Sequence, residues 1–276
     1  MSQTSTFVKK LASNERPTRE AALDALKKFL SSKSSKKMQL LDLEKLWKGL
    51  YFSMWFCDRP RAQERLAESL GSLYSEVILV EQFANFLEAF WTIIIKEWPN
   101  IDQWRIDKYY LLIRRVLRHS FKFLRIHKWG SEKDLLNQFV SVLEKTVLSG
   151  DKSISAALPY HLCDIYIDEL ENIMFNDLKD LQEEVDSMDK EDKEYISKYQ
   201  ELTKQKYQVV EEVPIAELVA PFTKLNKDAL SKTLREKCKA DVLDDGRLKD
   251  WNVFGSSDDE DEDEEEDAEE DEWKGF

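Results

Sequence analysis

Residues 102–129 read DQWRIDKYYLLIRRVLRHSFKFLRIHKW, and this pattern decides the fold class. Large apolar side chains recur every three or four positions, which places them on one side of a helix: Tyr109, Leu112, Ile113, Val116, Leu117, Phe123 and Leu124. Pro99-Asn100 precedes the stretch and Gly130-Ser131 follows it, and both pairs are typical of helix boundaries. We therefore predict one long amphipathic helix between them.

Helical periodicity continues on both sides of this segment. Further helices are predicted over residues 7–11, 17–30, 40–56, 60–73, 77–98, 132–148, 159–175, 177–188, 191–208, 214–225 and 227–239. The chain has only 7 glycines and 6 prolines, which is too few for many strands joined by tight turns. We predict an all-α protein of irregular stacked antiparallel helix pairs, similar to a helical-repeat array, although no fixed repeat length is evident.

The predicted helices form one domain over residues 1–239. Within it, residues 176–208 have few apolar positions and many charges, so we expect a more exposed arm. Residues 240–257 have the composition of a linker. Residues 258–276 are expected to be a disordered acidic tail, because 14 nearly consecutive acids cannot bury a core.

Charge is distributed unevenly along the chain, whose formal net charge is −14. Residues 1–130 carry 23 basic and 14 acidic side chains, whereas residues 131–257 carry 17 basic and 27 acidic ones. The acidic tail adds the remaining negative charge. A basic front and an acidic back indicate nucleic acid or other highly charged partners.

The main candidate for a binding surface is the basic side of the helix predicted over 102–129. Its residues lie on one helical face or flank it: Arg105, Lys108, Arg114, Arg115, Arg118, Lys122, Arg125 and Lys128. No acid occurs between Asp107 and Glu132, so these charges cannot be neutralised along their own helix. An RNA phosphate backbone would neutralise them and release counterions. The alternatives are a solvated polar face, or pairing with acids of a neighbouring helix such as those in 164–186.

A second basic cluster lies at the start of the helix predicted from Pro60. Arg59, Arg61 and Arg65 could each present a bidentate guanidinium to phosphate. A local salt bridge with a neighbouring acid of the same turn is the competing interpretation.

Four aromatic residues are candidates for docking to a partner protein. Most of the tryptophans fall on apolar helical stripes and are expected in the core, but Trp55 and Trp104 lie near helix ends and could anchor a partner. Trp251 and Phe254 form an apolar island in the predicted linker and could insert into a groove.

Three interpretations of the acidic tail remain open. It could bind a basic protein as a mimic of nucleic acid, shield the basic front of its own chain, or serve solubility alone. Ser256 and Ser257 each have an acid three residues later, which is the pattern of an acidophilic kinase site.

The sequence offers little for catalysis. Seven scattered glycines form no phosphate-binding loop, and His119, His127 and His161 have no metal-ligand spacing. The three cysteines are far apart, which indicates a reducing compartment, and the N-terminus lacks the apolar run of a signal peptide. We predict a soluble intracellular protein that is not an enzyme and binds no cofactor, metal or membrane.

Two motifs carry a resemblance to a known family. Residues 46–60, LWKGLYFSMWFCDRP, and residues 107–118, DKYYLLIRRVLR, resemble the signature of the nucleolar ribosomal RNA-processing protein 1 family. The similarity covers about residues 5–225 and is closest to the short fungal form, that of budding yeast above all. It implies a nuclear and nucleolar, non-catalytic assembly factor of early large (60S) subunit precursors, without catalytic residues.

Two functional hypotheses follow from these observations. In the first, the helical body is a scaffold that supports pre-rRNA processing by contacting other assembly factors, ribosomal proteins and, through the basic face, pre-rRNA. In the second, the chain is an acidic protein–protein adaptor or a chaperone for basic proteins and never contacts RNA. Then the tail binds the partner, and the basic face pairs with acids of the same chain.

Overall fold

The computed structural model of the protein describes residues 3–131, 134–191 and 194–253. These residues form α-helices and no strand, which confirms the predicted all-α class. The helices are α1 (Gln3–Leu11), α2 (Arg16–Leu30), α3 (Leu40–Trp55), α4 (Pro60–Ser72), α5 (Phe83–Glu97), α6 (Ile106–Ile126), α7 (Leu135–Lys145), α8 (Ala157–Met174), α9 (Lys179–Ser187), α10 (Tyr195–Glu212), α11 (Ile215–Asp228), α12 (Lys232–Cys238) and α13 (Gly246–Asp250). Among them, none combines the length and the apolar character that crossing a bilayer would require.

The helices stack in two layers. In one layer α1, α3, α5, α7 and α11 pack against one another in that order, and in the other α4, α6, α8 and α12 do the same. From α1 to α8, neighbours within a layer are therefore two places apart along the chain, as in a helical-repeat array. This confirms the predicted stacking and sets α6 between α4 and α8.

The α9–α10 hairpin has a separate small core. Its buried cluster consists of Leu178, Val185 and Leu202, whereas one large cluster runs through the rest of the stack. We call residues 176–212, which include this hairpin, the arm.

Aromatic side chains pack α3 against α5 within the first layer. The indole of Trp47 is 1 % exposed, packs on Phe86 and Phe90 at centroid distances of 5.1 and 4.9 Å, and donates a hydrogen bond to the Phe86 carbonyl over 3.0 Å. Gly71 lets α4 approach α6 closely, because a Cβ at this position would lie 2.8 Å from the Arg115 carbonyl oxygen. The core role expected for most tryptophans holds for Trp47.

The start of α5 differs from the prediction. The expected helix began at Val77, but α4 continues into a π-helical turn over Leu73–Val77, and α5 begins only at Phe83. The buried Gln82 explains the break, since its side-chain amide donates to the carbonyls of Ser35, Lys36 and Met38. Those three bonds fix the loop after α2 against the entry to α5.

The segment expected to be a linker also differs from the prediction over its described part. A π-helical turn covers Lys239–Leu243, and α13 follows with Asp245 as its N-cap. Val242 and Leu248 are both fully buried in the main core. The apolar residues of this stretch show no clear helical periodicity, yet Val242 and Leu248 each fill a site in the stack.

Candidate interaction surfaces

Ion pairs bind the basic face of α6 to α8. Glu169 of α8 is fully buried and accepts hydrogen bonds from Arg114 Nε and Arg118, and its Oε1 lies 2.9 Å from Arg118 Nη2. Arg114 Nη2 also lies 3.5 Å from Asp168 Oδ2. A fully buried carboxylate between two guanidinium groups neutralises this part of the face inside the protein.

The opposite edge of α6 pairs with α4 and the turn that follows it. Glu68 lies 3.2 Å from Arg115 Nε and 2.9 Å from His119 Nε2, and Glu76 lies 3.4 Å from Lys122 Nζ. Burial would raise the pKa of the Glu68 carboxyl, but the hydrogen bond with His119 and the charge of Arg115 hold that pKa below its usual value. Of the alternatives open for this face, pairing with neighbouring acids is the one that these contacts support.

His119 forms two hydrogen bonds that suit its neutral form. Its Nδ1 lies 2.7 Å from Ser75 Oγ, and burial lowers the pKa of the imidazole despite the opposing effect of Glu68. In the neutral ring, Nε2–H donates to Glu68 and Nδ1 accepts from Ser75. The serine, histidine and carboxylate resemble a catalytic triad in composition, but the imidazole is only 4 % exposed and thus cannot reach a substrate.

Lys108 is a buried structural cation. Its Nζ donates to the carbonyls of Trp55 and Cys57 over 2.7 and 2.9 Å, and lies 3.9 Å from Asp58. Burial lowers the pKa of its amine. The side chain therefore caps the C-terminal end of α3, where a positive charge is favourable, and is not available to RNA.

Arg105, Arg125 and Lys128 lie at the two ends of α6. Arg105 pairs with Asp102 and covers the ring of Trp55 at 4.5 Å, which leaves Trp55 half-buried. Arg125 pairs with Asp177 of the arm, and Lys128 is exposed in the turn after α6. The two arginines thus also have partners within the chain.

Trp104 is the most exposed large apolar side chain among the described residues. It is 85 % exposed, and its backbone N–H donates to Asp102 Oδ1 over 3.0 Å in the turn before α6. Because Asp102 also binds Arg105, the turn that presents Trp104 is held from two sides.

Arg59, Arg61 and Arg65 are exposed along the first turns of α4. None of them forms an ion pair with another described residue. In the part of the chain that it describes, the structure therefore lacks the local salt bridge of the competing interpretation. Arg59 and Arg65 line a groove of about 770 Å³ between α2 and α4.

The remaining predicted sites lie at the end of the described chain. Trp251 packs edge-on against Phe175 at 6.1 Å and is half-buried on the main core. Phe254, Ser256 and Ser257 lie outside the described residues, as do residues 258–276. In the part of the chain that is described, no three potential metal ligands come together.

Sequence reasoning missed the residues that neutralise α6 and a buried arginine. Glu68, Asp168 and Glu169 carry no individual signal in the sequence, although the interval 164–186 was named as a possible source of acids. Arg19, by contrast, does have a recognisable signal in the sequence. It falls on the same helical stripe as Ala22, Leu23, Leu26 and Leu30, and it is 8 % exposed.

Comparison with known proteins agrees with the resemblance seen in the sequence. Residues 2–275 match the family described as "Nucleolar protein, Nop52". A ribosomal RNA processing protein 1 homolog of Caenorhabditis elegans is 38 % identical over 166 residues, 60 % of this chain and 41 % of that protein. Homolog B of Homo sapiens is 36 % identical over 170 residues, which cover 60 % of this chain and 22 % of that protein. The Dictyostelium discoideum homolog is 31 % identical over 180 residues, which cover 59 % of this chain and 36 % of that protein. The chain thus spans less than half the length of these relatives.

Proposed function

Because the chain belongs to the Nop52 family of nucleolar proteins, we propose that it is a non-catalytic scaffold in the assembly of early large (60S) ribosomal subunit precursors. The relatives named as ribosomal RNA processing proteins support a role in rRNA processing and ribosome biogenesis. Family membership also agrees with the nucleolar localisation expected from the sequence. A scaffold supports processing by holding other assembly factors in place, so that its loss impairs processing although it cuts no RNA.

The exposure of Trp104 is the observation that carries the scaffold proposal. An indole that is 85 % exposed gains most when a partner protein covers it, and tryptophan is among the residues that dominate interface energies. The turn around Asp102 holds the indole's backbone in place before binding, so little order is lost on binding. We propose that Trp104 docks into a neighbouring assembly factor or ribosomal protein.

The test is Trp104→Ala in the full chain, with association with large-subunit precursors measured by sedimentation. Loss of an interface anchor costs about 2 kcal/mol or more, so most of the protein should shift from the precursor to the free fraction, and precursor rRNA should accumulate. Leu230→Ala is the matched control, because Leu230 is also an exposed apolar residue. Its side chain is 73 % exposed, and it lies in the connection between α11 and α12. Unchanged sedimentation of a folded Trp104→Ala variant would remove this support.

We propose that Arg59, Arg61 and Arg65, rather than the basic residues of α6, contact RNA in the precursor. Reversing Arg114 and Arg118 would place new acids against the buried Glu169 and test folding instead of binding. The three exposed arginines can be reversed to Glu without that problem. We expect weaker association with precursors that depends less steeply on salt, because fewer counterions are released, and the control is Lys152, Lys227 and Lys249 reversed together, three exposed cations elsewhere.

One observation favours the adaptor hypothesis as a second candidate. That hypothesis requires the cations of α6 to pair with acids of the same chain, and Arg114, Arg118, Arg115 and Arg125 do so. Deletion of residues 258–272 separates the two functions. Loss of binding to basic partner proteins would favour an adaptor that acts through its tail, whereas unchanged association with precursors would favour the folded body.

A further inference from the structure

A groove between α2 and α4 combines an apolar floor with basic walls. Its floor includes Leu23, Phe56 and Leu66, and its volume is about 770 Å³. Three arginines without an acidic partner among the described residues line it: Arg19, Arg59 and Arg65. Such a lining fits an extended polypeptide that carries both acidic and aromatic side chains.

Arg19 is a buried cation without a carboxylate. Its Nη1 donates to the carbonyls of Ser13 and Asn14 over 2.9 Å each, and its Nη2 donates to the Phe56 carbonyl over 3.2 Å. These hydrogen bonds give the guanidinium N–H groups acceptors, but no described acid neutralises the positive charge of Arg19. A buried positive charge of this kind attracts an anion to the groove beside it.

The acids of the groove leave an excess of positive charge. Glu20 is engaged by Arg16 over 2.7 Å, and Asp58 lies 3.9 Å from Lys108 Nζ. Asp24 alone remains to face the three arginines described above. The groove therefore favours an anionic occupant.

We propose that this groove receives the chain's own C-terminal segment, residues 254–276. Trp273 and Phe276, which follow the acidic run, match the apolar floor, and the acids match Arg59 and Arg65. The segment follows directly after Val253 and has about 23 residues, which extend to at most roughly 80 Å, whereas a domain of this size is roughly 45 Å across. The segment is thus long enough to reach the groove from where the described chain ends.

An RNA strand fits the groove less well than this segment does. Its phosphates would use the arginines, but its bases stack best on aromatic side chains, and Leu23 and Leu66 of the floor are aliphatic. Docking of the segment covers Arg59 and Arg65 in the free protein. RNA or a precursor particle must then displace the segment before it reaches these two side chains.

The experiment places a nitroxide at Ala268→Cys, the one position of the acidic run that is not an acid, in the full chain. The three native cysteines are buried, so the nitroxide reagent should react with the new thiol at position 268. We expect paramagnetic broadening of NMR signals from Leu23 and Leu66 and none from Lys227. Adding Arg59→Glu and Arg65→Glu should abolish the broadening, and Lys227→Glu with Lys249→Glu should leave it unchanged.

Three results would overturn the proposal. One is the absence of broadening at the groove, and another is broadening that survives reversal of Arg59 and Arg65 in a protein with an otherwise unchanged spectrum. If the double reversal disturbs the fold, Arg65→Ala takes its place, with partial loss of broadening expected. The third is a single-stranded RNA that shifts the groove signals while the nitroxide broadens them as before, because RNA and the segment cannot occupy the same groove together. Because no ribosomal precursor is present, failure here is distinct from failure of the scaffold proposal.

Discussion

The α6 region and the arm both contain many charged side chains, but they use them differently. In the stack, Arg114 and Arg118 meet on Glu169, which is fully buried. In the arm, Lys198 pairs with Glu184, whose side chain is 50 % exposed, and among the arm's described residues only Leu178, Val185 and Leu202 are buried. The comparison teaches that the number of charges does not determine what a region does. Charges shared across a buried carboxylate are part of the core, whereas those of the arm remain at the surface.

The largest effect is expected from Glu169→Ala. The change leaves Arg114 and Arg118 without their buried partner, so the free energy of unfolding should fall by about 3 kcal/mol, as measured by urea denaturation. Asp177→Ala is the control, because Asp177 pairs with Arg125 but is 72 % exposed, and its loss should cost at most about 1 kcal/mol. Similar losses for the two variants would contradict the distinction between the regions.

A smaller and local effect is expected from Leu202→Ala. Truncation of this buried side chain should destabilise the arm by about 2 kcal/mol, because Leu178 and Val185 are the other buried apolar residues that the described part of the arm contributes to its core. Hydrogen exchange should accelerate in α9 and α10 and remain unchanged in α6. The same truncation at Leu112, which is fully buried in the stack, should accelerate exchange throughout. Equal loss of protection in α6 for Leu202→Ala would show that the arm is not a separate cooperative unit.

The smallest effect concerns pH. Burial lowers the pKa of both His119 and His161 in the folded protein. As the pH falls, these histidines therefore bind protons in the unfolded chain before they do so in the folded protein. Stability is therefore complete above about pH 6.5, the ordinary histidine pKa, and falls as the pH drops towards the folded-state values. Replacing both residues by Gln should flatten the dependence of unfolding free energy on pH between about 7 and 5.5. A wild-type protein that gains stability on acidification would disprove the assignment.

Much of the fold follows from local sequence patterns. The apolar stripe of α6 and the low glycine content were enough to predict stacked helices, because helix periodicity is a property of neighbouring residues. The boundaries at Val77 and in residues 240–253 could not be predicted in the same way. They depend on Gln82 and Leu248, whose partners lie in other parts of the chain.

The candidate surface was harder to predict than the fold. The positions of the basic residues on α6 were evident, but their neutralisation depends on Glu68, which precedes Arg115 in the chain by 115 − 68 = 47 residues, and on Glu169, which follows Arg118 by 51 residues. Counting charges along one helix cannot reveal acids that the next helix brings to it. The relation to the budding-yeast protein and the individual RNA-binding residues stay predictions.

The long sequence separation within the α6 ion pairs has a consequence during synthesis of the protein. Arg114 and Glu169 are 55 residues apart, so α6 leaves the translating ribosome well before the carboxylate that neutralises it. Until then, the nascent chain presents α6 next to ribosomal RNA with Arg114 and Arg118 lacking the carboxylate of Glu169. Any recombinant fragment that ends before α8 keeps the same exposed helix permanently. RNA binding by such a fragment would reflect missing partners, and only the full chain gives a valid measurement.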